Sequence, residues 1–323
     1  MTKKKKLTSA VFVFLLLALG AGIFKVSLFL EDFFYWMEVA GNPRLVEAGI
    51  NRQSFLENAD SLKPYFKKEA ESLSLSAEAA FSLFVGSNKE EALFGKNSQE
   101  SLPIASLTKL VSALVIIDNY SMSQRVSISP EAAGMPGNGE GNLMPGDTFE
   151  VGDLFKAMLV ESNNSAALAL AQIKGEEEFV YLMNAKTEAL GLQKTSFSNP
   201  TGLDPKDGSI INQSSAAELA EIAKFVMKEK PEIFEILLME EFNLYNIEGA
   251  LSHKAVNTNE LLGEMPLVIG GKTGETPRSG GCLLLLVQAP KSRGYLVNVI
   301  LDSPDRFSEM EKLVDWVRHS YQW

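Results

Sequence analysis

The chain has few of the side chains that most often bind metals or form cross-links. It contains one cysteine, Cys282, and only two histidines, His253 and His319. A single cysteine cannot form an internal disulfide or a thiolate zinc site. Two histidines also argue against a histidine-rich metal centre or several catalytic imidazoles. We therefore expect no metal and no cofactor.

Basic residues are scarce relative to acidic ones. Lysine and arginine total 30 against 41 aspartate and glutamate residues, which gives a formal net charge of −11. Because nucleic-acid binding depends on a basic surface, this excess of acid argues against that function. Hydrophobic residues make up 46% of the chain, which excludes a wholly disordered protein. A length of 323 residues fits about two structural units.

The N-terminus combines a basic cluster with a long uncharged run. Four lysines at positions 3–6 precede an uncharged stretch at 7–24, and apolar residues resume after Lys25. The span approaches the roughly 20 residues that cross a bilayer, and it exceeds the apolar core of a cleaved signal peptide. We predict a cytoplasmic tail at 1–8 and a transmembrane anchor at 9–30. A signal peptide cleaved near Gly20 is the alternative.

The lysines before the anchor predict that everything after it lies outside the cell membrane. The first 30 residues hold five lysines and no acid, which leaves 25 basic against 41 acidic residues, a net of −16, for the exported part. We interpret residues 31–75 as a juxtamembrane spacer with short helices. A helical extension of the following domain is the alternative.

From residue 76 to 323 the pattern is that of one folded domain. Residues 79–85 form a short apolar run, and turn residues separate it from a return strand at 92–95. Helical periodicity predicts helices at 106–118, 147–170, 176–190, 214–228 and 309–321, and apolar runs predict strands at 266–269, 281–288 and 295–301. Strands at both ends predict one sheet made from both termini of the domain, with a helical region inserted.

Ser106 and Lys109 stand three positions apart at the start of a predicted helix. This spacing places the hydroxyl beside the amine on one helix face. A serine nucleophile needs a base, and a lysine can serve when desolvation or a neighbouring cation lowers its pKa. The alternative is a capping serine with a surface lysine.

A second polar motif, Ser162-Asn163-Asn164, lies between two apolar runs. A hydroxyl there could pass a proton between a base and a leaving group, and an amide could hold a substrate carbonyl. The alternative is a plain helix cap.

A third motif, Lys272-Thr273-Gly274, follows two glycines and opens a predicted strand. Glycines allow a peptide substrate to approach a strand backbone closely. Lys272 and Thr273 could bind a carboxylate, and Lys272 would lower the pKa of Lys109 if the two lie close together. The alternative is a β-hairpin with a charged corner.

The order and spacing of the three motifs are typical of penicillin-binding proteins and serine β-lactamases, with Ser162 placed 56 residues after Ser106 and Lys272 a further 110 residues on. From about residue 76 to 323 the chain resembles the D-alanyl-D-alanine carboxypeptidase family of low-molecular-mass penicillin-binding proteins. Other segments share the resemblance, at 105–110, 129–133, 145–147, 184–186, 199–203 and 272–276. One departure is Asn163, where the family commonly has glycine, and we expect its side chain to narrow the cleft.

This resemblance implies an α+β fold of the penicillin-binding protein/β-lactamase-like transpeptidase type, an antiparallel sheet with helices on both faces and an inserted helical region. The N-terminal transmembrane helix is additional to it. The implied mechanism runs through an acyl-enzyme: Ser106 attacks the D-Ala-D-Ala carbonyl, Lys109 accepts its proton, and Ser162 passes a proton to the leaving amine. The residues implied in substrate binding are Asn164, Lys272, Thr273, Gly274, Glu275 and Arg306, with the backbone N–H groups of Ser106 and Glu275 holding the oxyanion.

We therefore expect a membrane-anchored serine carboxypeptidase that trims the terminal D-Ala of peptidoglycan stem peptides and is inhibited by β-lactams. A D,D-endopeptidase acting on peptidoglycan cross-links carries the same motifs, and a catalytically silent muropeptide-binding protein is a third possibility. A β-lactamase is less favoured, because segments 129–133 and 199–203 resemble the carboxypeptidases. A histidine-dependent hydrolase is disfavoured as well: we interpret His253 as a polar loop residue and His319 as a cation at a helix end.

Overall fold

A computed structural model describes residues 64–68, 70–137, 143–205, 208, 211–292 and 294–323. The predicted cytoplasmic tail, the predicted anchor and residues 31–63 of the predicted spacer lie outside this part. Among the helices that the model describes, none has both the length and the apolar character needed to span a bilayer.

Short strands and helices alternate along the described chain. The strands are β1 Tyr65–Phe66, β2 Ala79–Val85, β3 Glu90–Lys96, β4 Leu102–Pro103, β5 Arg125–Ser127, β6 Thr148–Glu150, β7 Gln213–Ser214, β8 Glu241–Tyr245, β9 Leu251–Val256, β10 Val268–Thr276, β11 Gly280–Gln288, β12 Tyr295–Ser303 and β13 Tyr321–Gln322. The helices are α1 Lys109–Asn119, α2 Pro130–Ala133, α3 Val151–Val160, α4 Asn164–Gln172, α5 Glu176–Ala189, α6 Ala216–Glu229, α7 Glu232–Leu237 and α8 Arg306–Ser320, with a 3₁₀ turn, η1 Ala105–Thr108, directly before α1.

A five-stranded antiparallel sheet forms the centre of the fold, in the order β10-β11-β12-β2-β3. β2 and β3 come from the start of the domain, whereas β10, β11 and β12 come from its end. The two groups meet where β12, the central strand, pairs with β2, with Asn298 opposite Ser82. The predicted sheet made from both termini is therefore confirmed.

The inner strand β11 shows why the sheet needs helices on both faces. Leu284 and Leu286 belong to one apolar core together with α1, α3, α4 and α6, whereas Leu283 and Leu285 belong to a second core under α8. Successive side chains of a strand point to opposite faces, so a continuous apolar run is stable only where both faces are covered. The predicted α+β architecture with helices on both faces is confirmed.

The helical region between β4 and β10 departs from the prediction in detail. The helix predicted at 147–170 is divided into β6, α3 and α4, because the chain adopts a left-handed conformation at Ser162, with φ of +61°. Helix α7 and the β8–β9 hairpin were not predicted. β8 and β9 alternate exposed with partly buried residues instead of forming an apolar run, so they lack the signal that marked the central strands.

The described end of the predicted spacer, residues 64–75, contacts the domain. β1 pairs with β13 at the other end of the chain, and the Trp316 indole donates to the Glu71 carbonyl at 2.6 Å. Immediately afterwards, the buried Glu309 carboxylate of α8 accepts hydrogen bonds from the Ser76 and Ala77 backbone amides. The beginning of the described chain is thus attached to its last helix.

Candidate active site

Ser106 lies in η1, one residue after a strained backbone position. Ala105 has a φ of +46°, which costs energy for a residue with a Cβ. Gly202 of the loop before β7 packs against this point: a Cβ added there would lie 1.9 Å from the Ala105 carbonyl oxygen. Segment 199–203, noted in the sequence only for its resemblance, therefore supports the backbone that presents Ser106.

The buried Lys109 amine contacts three oxygen atoms. Its Nζ lies 2.7 Å from Ser106 Oγ, 2.7 Å from Asn164 Oδ1 and 2.8 Å from the Thr201 carbonyl oxygen. Desolvation, followed by the positive charge of Lys272, holds the pKa of Lys109 well below its usual value. A neutral amine here can donate to Asn164 and Thr201 and turn its lone pair toward the Ser106 hydroxyl. The geometry is that of a serine paired with a general base.

Ser162 and Asn164 lie at the junction of α3 and α4. Asn164 is the first residue of α4, and its amide donates to the carbonyls of Pro136 and Gly137 at 2.8 and 3.1 Å, which orients its oxygen toward Lys109. The Ser162 Oγ is buried and has no hydrogen-bond partner among the described residues. A buried hydroxyl without a hydrogen-bond partner lowers the stability of a protein. The site therefore favours a bound group that can form a hydrogen bond with Ser162.

The third motif lies inside β10 and not at its opening, since β10 begins at Val268 and the turn follows Thr276. A Cβ added at Gly274 would lie 2.9 Å from the Ser106 backbone nitrogen and 3.1 Å from the Ile104 carbonyl oxygen. Only a residue without a side chain permits this approach. Two motifs more than 160 residues apart in the sequence are therefore in contact.

Lys272 is buried in the same strand, with 1% of its surface exposed. Desolvation, with a contribution from the positive charge of Arg306, lowers the pKa of Lys272 to about 7. Since the charge of Lys272 in turn lowers the pKa of Lys109, the two amines are close enough to influence each other. The predicted proximity of Lys272 to the base is present in the structure.

Thr273 has a partner that the sequence did not reveal. Its Oγ1 lies 2.5 Å from Thr258 Oγ1, and the Thr258 backbone amide donates to the Val160 carbonyl at the end of α3 at 3.2 Å. Thr258 therefore joins β10 to the chain just before Ser162. It stands in a polar loop after β9, without any motif that could have identified it.

Glu275 and Arg306 form an ion pair with each other, between the Glu275 Oε2 and an Arg306 guanidinium nitrogen. The guanidinium also lies 4.8 Å from the centre of the Phe307 ring. The carboxylate that Arg306 contacts in this structure is thus one from its own chain. A role for Arg306 toward a substrate carboxylate stays a prediction.

The expectation that Asn163 narrows the cleft is wrong, because its side chain is turned into the protein. Its Oδ1 accepts from the Ala166 amide at 2.8 Å and caps α4, and its Nδ2 donates to Glu161 Oε1 at 2.7 Å. The same Glu161 oxygen lies 2.8 Å from His253 Nε2.

His253 lies in strand β9 and not in a loop, so that interpretation is corrected as well. Through Glu161 it connects the β8–β9 hairpin to the Ser162 loop. His319 occupies the last turn of α8, as predicted. Within the described ranges, no three histidine, cysteine, aspartate or glutamate side chains gather as a metal site.

The chain is similar in sequence to known D-alanyl-D-alanine peptidases. The chain is 33% identical over 256 residues to the D-alanyl-D-alanine carboxypeptidase DacF of Bacillus subtilis (strain 168), covering 77% of this chain and 64% of that protein. It is 28% identical over 242 residues to a D-alanyl-D-alanine endopeptidase of Pseudomonas aeruginosa, covering 73% of this chain and 76% of that one. The chain spans less than two thirds of the length of the first curated relatives that it matches.

The fold is also that of a solved structure. Penicillin-binding protein D2 of Listeria monocytogenes, in its cefotaxime-bound form, superposes with a TM-score of 0.64 at 29% identity, covering 76% of this chain and 99% of that one. The family model described as D-alanyl-D-alanine carboxypeptidase matches residues 67–305. This confirms the resemblance seen in the motifs: the chain belongs to the D-alanyl-D-alanine carboxypeptidase family, Peptidase_S11.

Proposed function

We propose that the protein is a serine D-alanyl-D-alanine carboxypeptidase that trims the terminal D-Ala of peptidoglycan stem peptides through an acyl-enzyme. The observation that carries this proposal is the contact between Ser106 Oγ and the buried Lys109 Nζ at 2.7 Å. A lysine with a strongly lowered pKa can exist as the free amine and accept the serine proton. Membership of the family makes the D-Ala-D-Ala bond the expected substrate.

In the acylation step, Ser106 Oγ attacks the carbonyl carbon of the penultimate D-Ala while Lys109 takes the hydroxyl proton. Collapse of the tetrahedral intermediate breaks the C–N bond, and Ser162 passes a proton from Lys109 to the departing D-Ala amine. Water then hydrolyses the ester and restores the Ser106 hydroxyl. Backbone amides of Ser106 and Glu275 would stabilise the oxyanion, and removing one such donor typically costs about 3 kcal/mol.

The cleft wall suits an extended peptide that ends in a carboxylate. β10 is the last strand in the sheet order, and such an edge can pair with a peptide backbone. Lys272 supplies positive charge, Thr273 a hydroxyl and Asn164 an amide. We assign Lys272 and Thr273 to the terminal carboxylate, and Gly274 to the close approach of strand and nucleophile.

The test is activity and covalent labelling of the full chain. Wild-type protein should release D-Ala from a pentapeptide muropeptide, and it should carry a fluorescent penicillin on Ser106 that mass spectrometry locates. Ser106→Ala should lose both, whereas Ser127→Ala, a change at an exposed serine of β5, should lose neither. Folded wild-type protein without D-Ala release or a Ser106 adduct would overturn the proposal.

A D,D-endopeptidase is the second candidate, because one relative has that name. Incubation with cross-linked muropeptide dimers separates the two activities. An endopeptidase converts dimers to monomers faster than it releases D-Ala from pentapeptides. A silent muropeptide-binding protein would bind both substrates without change and without a penicillin adduct.

We also propose that residues 9–30 anchor the protein in the cell membrane, with the domain on the outer side. The proposal is supported by the four lysines at positions 3–6 and by the uncharged run that follows them. Membrane pellets washed with alkaline carbonate should retain the full chain, and N-terminal sequencing should find an uncut terminus. A new terminus near Gly20 would overturn the anchor in favour of a cleaved signal peptide.

A further inference from the structure

We propose that the surface formed by β1, β13 and the last turns of α8 lies on the phospholipid surface of the membrane and turns the active-site cleft away from it. This surface, the aromatic face, consists of the residues Tyr65, Phe66, Trp316, Tyr321 and Trp323. The inference rests on the proposed anchor, and it assigns the bilayer surface as a binding partner of the folded domain.

The aromatic face places two exposed rings next to three partly buried ones. Tyr65 is 62% and Phe66 51% exposed. Aromatic side chains are more often buried than this in a folded domain. The Phe66 ring lies 5.8 Å from Trp316 and 5.3 Å from Tyr321, centre to centre. Grouped aromatic rings of this kind are typical of protein surfaces at the membrane–water boundary.

The polar ends of Trp316, Tyr321 and Trp323 are already held by the protein. The Trp316 and Trp323 indoles donate to the carbonyls of Glu71 and Arg318 at 2.6 and 3.1 Å, and the Tyr321 hydroxyl donates to the Leu93 carbonyl at 2.5 Å. The outer edges of these three rings are apolar. They can enter the interfacial layer of a bilayer without losing a hydrogen bond.

The charge around the aromatic face differs from that of the rest of the exported part. Lys67 and Lys68 follow Phe66 directly, and Lys312 lies one helical turn before Trp316. Glu71 and Asp315 stand beside them. Basic and acidic groups are nearly in balance here, whereas the exported part as a whole has 25 basic and 41 acidic residues. The face is therefore repelled less by a negatively charged lipid surface than other sides of the molecule.

The position of the face along the chain also favours the bilayer as its partner. The described chain begins at Pro64, the residue before Tyr65, and the uncharged run ends at residue 24, about 40 residues earlier. Whatever path residues 25–63 take, the chain that leaves the anchor enters the domain at this face. The proposed anchor therefore keeps the aromatic face close to the bilayer, at a high effective concentration.

Helix α8 separates the cleft from β13. Its first residue, Arg306, contacts Glu275 beside the cleft, and its last residue, Ser320, precedes β13 in the aromatic face. A helix of 15 residues spans about 22 Å at 1.5 Å per residue. The cleft and β13 therefore lie at opposite ends of α8, and docking of the aromatic face leaves the cleft accessible to a substrate.

The experiment uses tryptophan fluorescence of the full chain in phospholipid vesicles. The protein has three tryptophans, and Trp36→Phe leaves Trp316 and Trp323 as the only emitters. Brominated acyl chains quench a tryptophan that reaches the interface. We expect strong quenching in this background and at least a twofold loss of it when Tyr65→Ser and Phe66→Ser are added.

The control variant changes two side chains of similar exposure in another part of the domain. Tyr245 and Leu251 of the β8–β9 hairpin are 46% and 57% exposed, and Tyr245→Ser with Leu251→Ser should leave the quenching unchanged. Lys68→Glu, which removes no ring contact, should weaken quenching on anionic vesicles more than on zwitterionic ones. Penicillin labelling of every variant verifies that it is folded.

Two results would overturn the docking surface: no quenching by brominated lipid, or quenching that depends on Tyr245 and Leu251 and not on Tyr65 and Phe66. A chain released by carbonate but still quenched would overturn the anchor alone. A chain retained in the pellet but not quenched would overturn the docking surface alone. The two proposals therefore fail separately.

Discussion

At Lys109 two physical effects act in the same direction. Burial disfavours the charged amine, and the positive charge of Lys272 disfavours it further, so the pKa of Lys109 is well below its usual value. The Lys109 amine is at the same time fixed by Asn164 and by the Thr201 carbonyl. The residue therefore has both the protonation state and the position that a base for Ser106 needs.

Replacing Lys272 tests this electrostatic coupling. Lys272→Met removes a neighbouring positive charge, which makes protonation of Lys109 easier and raises its pKa. The acidic limb of the pH profile for Ser106 acylation should therefore move to higher pH, measured with a fluorescent penicillin at each pH. Lys224→Met, at a surface ion pair with Glu90, is the control. An acidic limb that stays in place, or moves to lower pH, would contradict the coupling.

The buried Glu161 carboxylate is expected to position the Ser162 loop. It accepts from Asn163, which caps α4, and it contacts His253. Glu161→Ala leaves the buried Asn163 amide without this acceptor and removes the contact of His253, at a cost of about 1–3 kcal/mol in the free energy of unfolding. Denaturant unfolding and penicillin acylation should both decline, and Glu161→Gln should restore most of each. If Glu161→Ala matches the wild type in both measurements, the loop is held by other contacts.

The contact between β10 and η1 brings the Lys272-Thr273-Gly274 motif to Ser106. Gly274 allows the strand to touch the Ser106 backbone, and Gly202 allows the loop before β7 to touch Ala105. Small residues in these positions let three chain segments meet at one point. A side chain at either position would push the segments apart.

Gly274→Ala should separate strand and nucleophile. Its Cβ would lie 2.9 Å from the Ser106 nitrogen, so the backbone has to shift and the oxyanion donors move with it. We expect at least a hundredfold loss in acylation rate, since one such donor is typically worth about 3 kcal/mol. Gly95→Ala in β3 is the matched control, because its Cβ would meet only ordinary contacts, beginning at 3.4 Å from Ser98 Oγ. Equal acylation rates for the two variants would show that the contact is unimportant.

For the whole molecule, Glu309 joins the beginning of the domain to its end. Its carboxylate accepts from the Ser76 and Ala77 amides and from the Ser303 hydroxyl. Glu309→Ala leaves the buried Ala77 amide and Ser303 hydroxyl without this acceptor, and it should lower the free energy of unfolding by about 3 kcal/mol. Calorimetry should show the loss, whereas Glu311→Ala on the exposed side of α8 should melt as the wild type does. Equal melting temperatures for the two variants would refute this role.

The amino-acid sequence by itself determined the motifs, their order and the strands that are apolar along their whole length. Ser106 and Lys109 could be paired from it because a helix repeats every 3.6 residues. The run in β11 is apolar on both faces, and it could be identified as a strand. These are local properties, set by periodicity and side-chain type.

Only the tertiary structure decided which groups meet across the chain. Thr258 beside Thr273, the Thr201 carbonyl beside Lys109 and the turning of Asn163 toward Glu161 have no local signature. Hydrogen bonds between distant residues form where packing brings them together, and packing depends on all elements at once. His253 looked like a loop residue because β9 has no apolar run, although the strand pairs with β8. Its side-chain contact with Glu161, 92 residues earlier, has no local signature either.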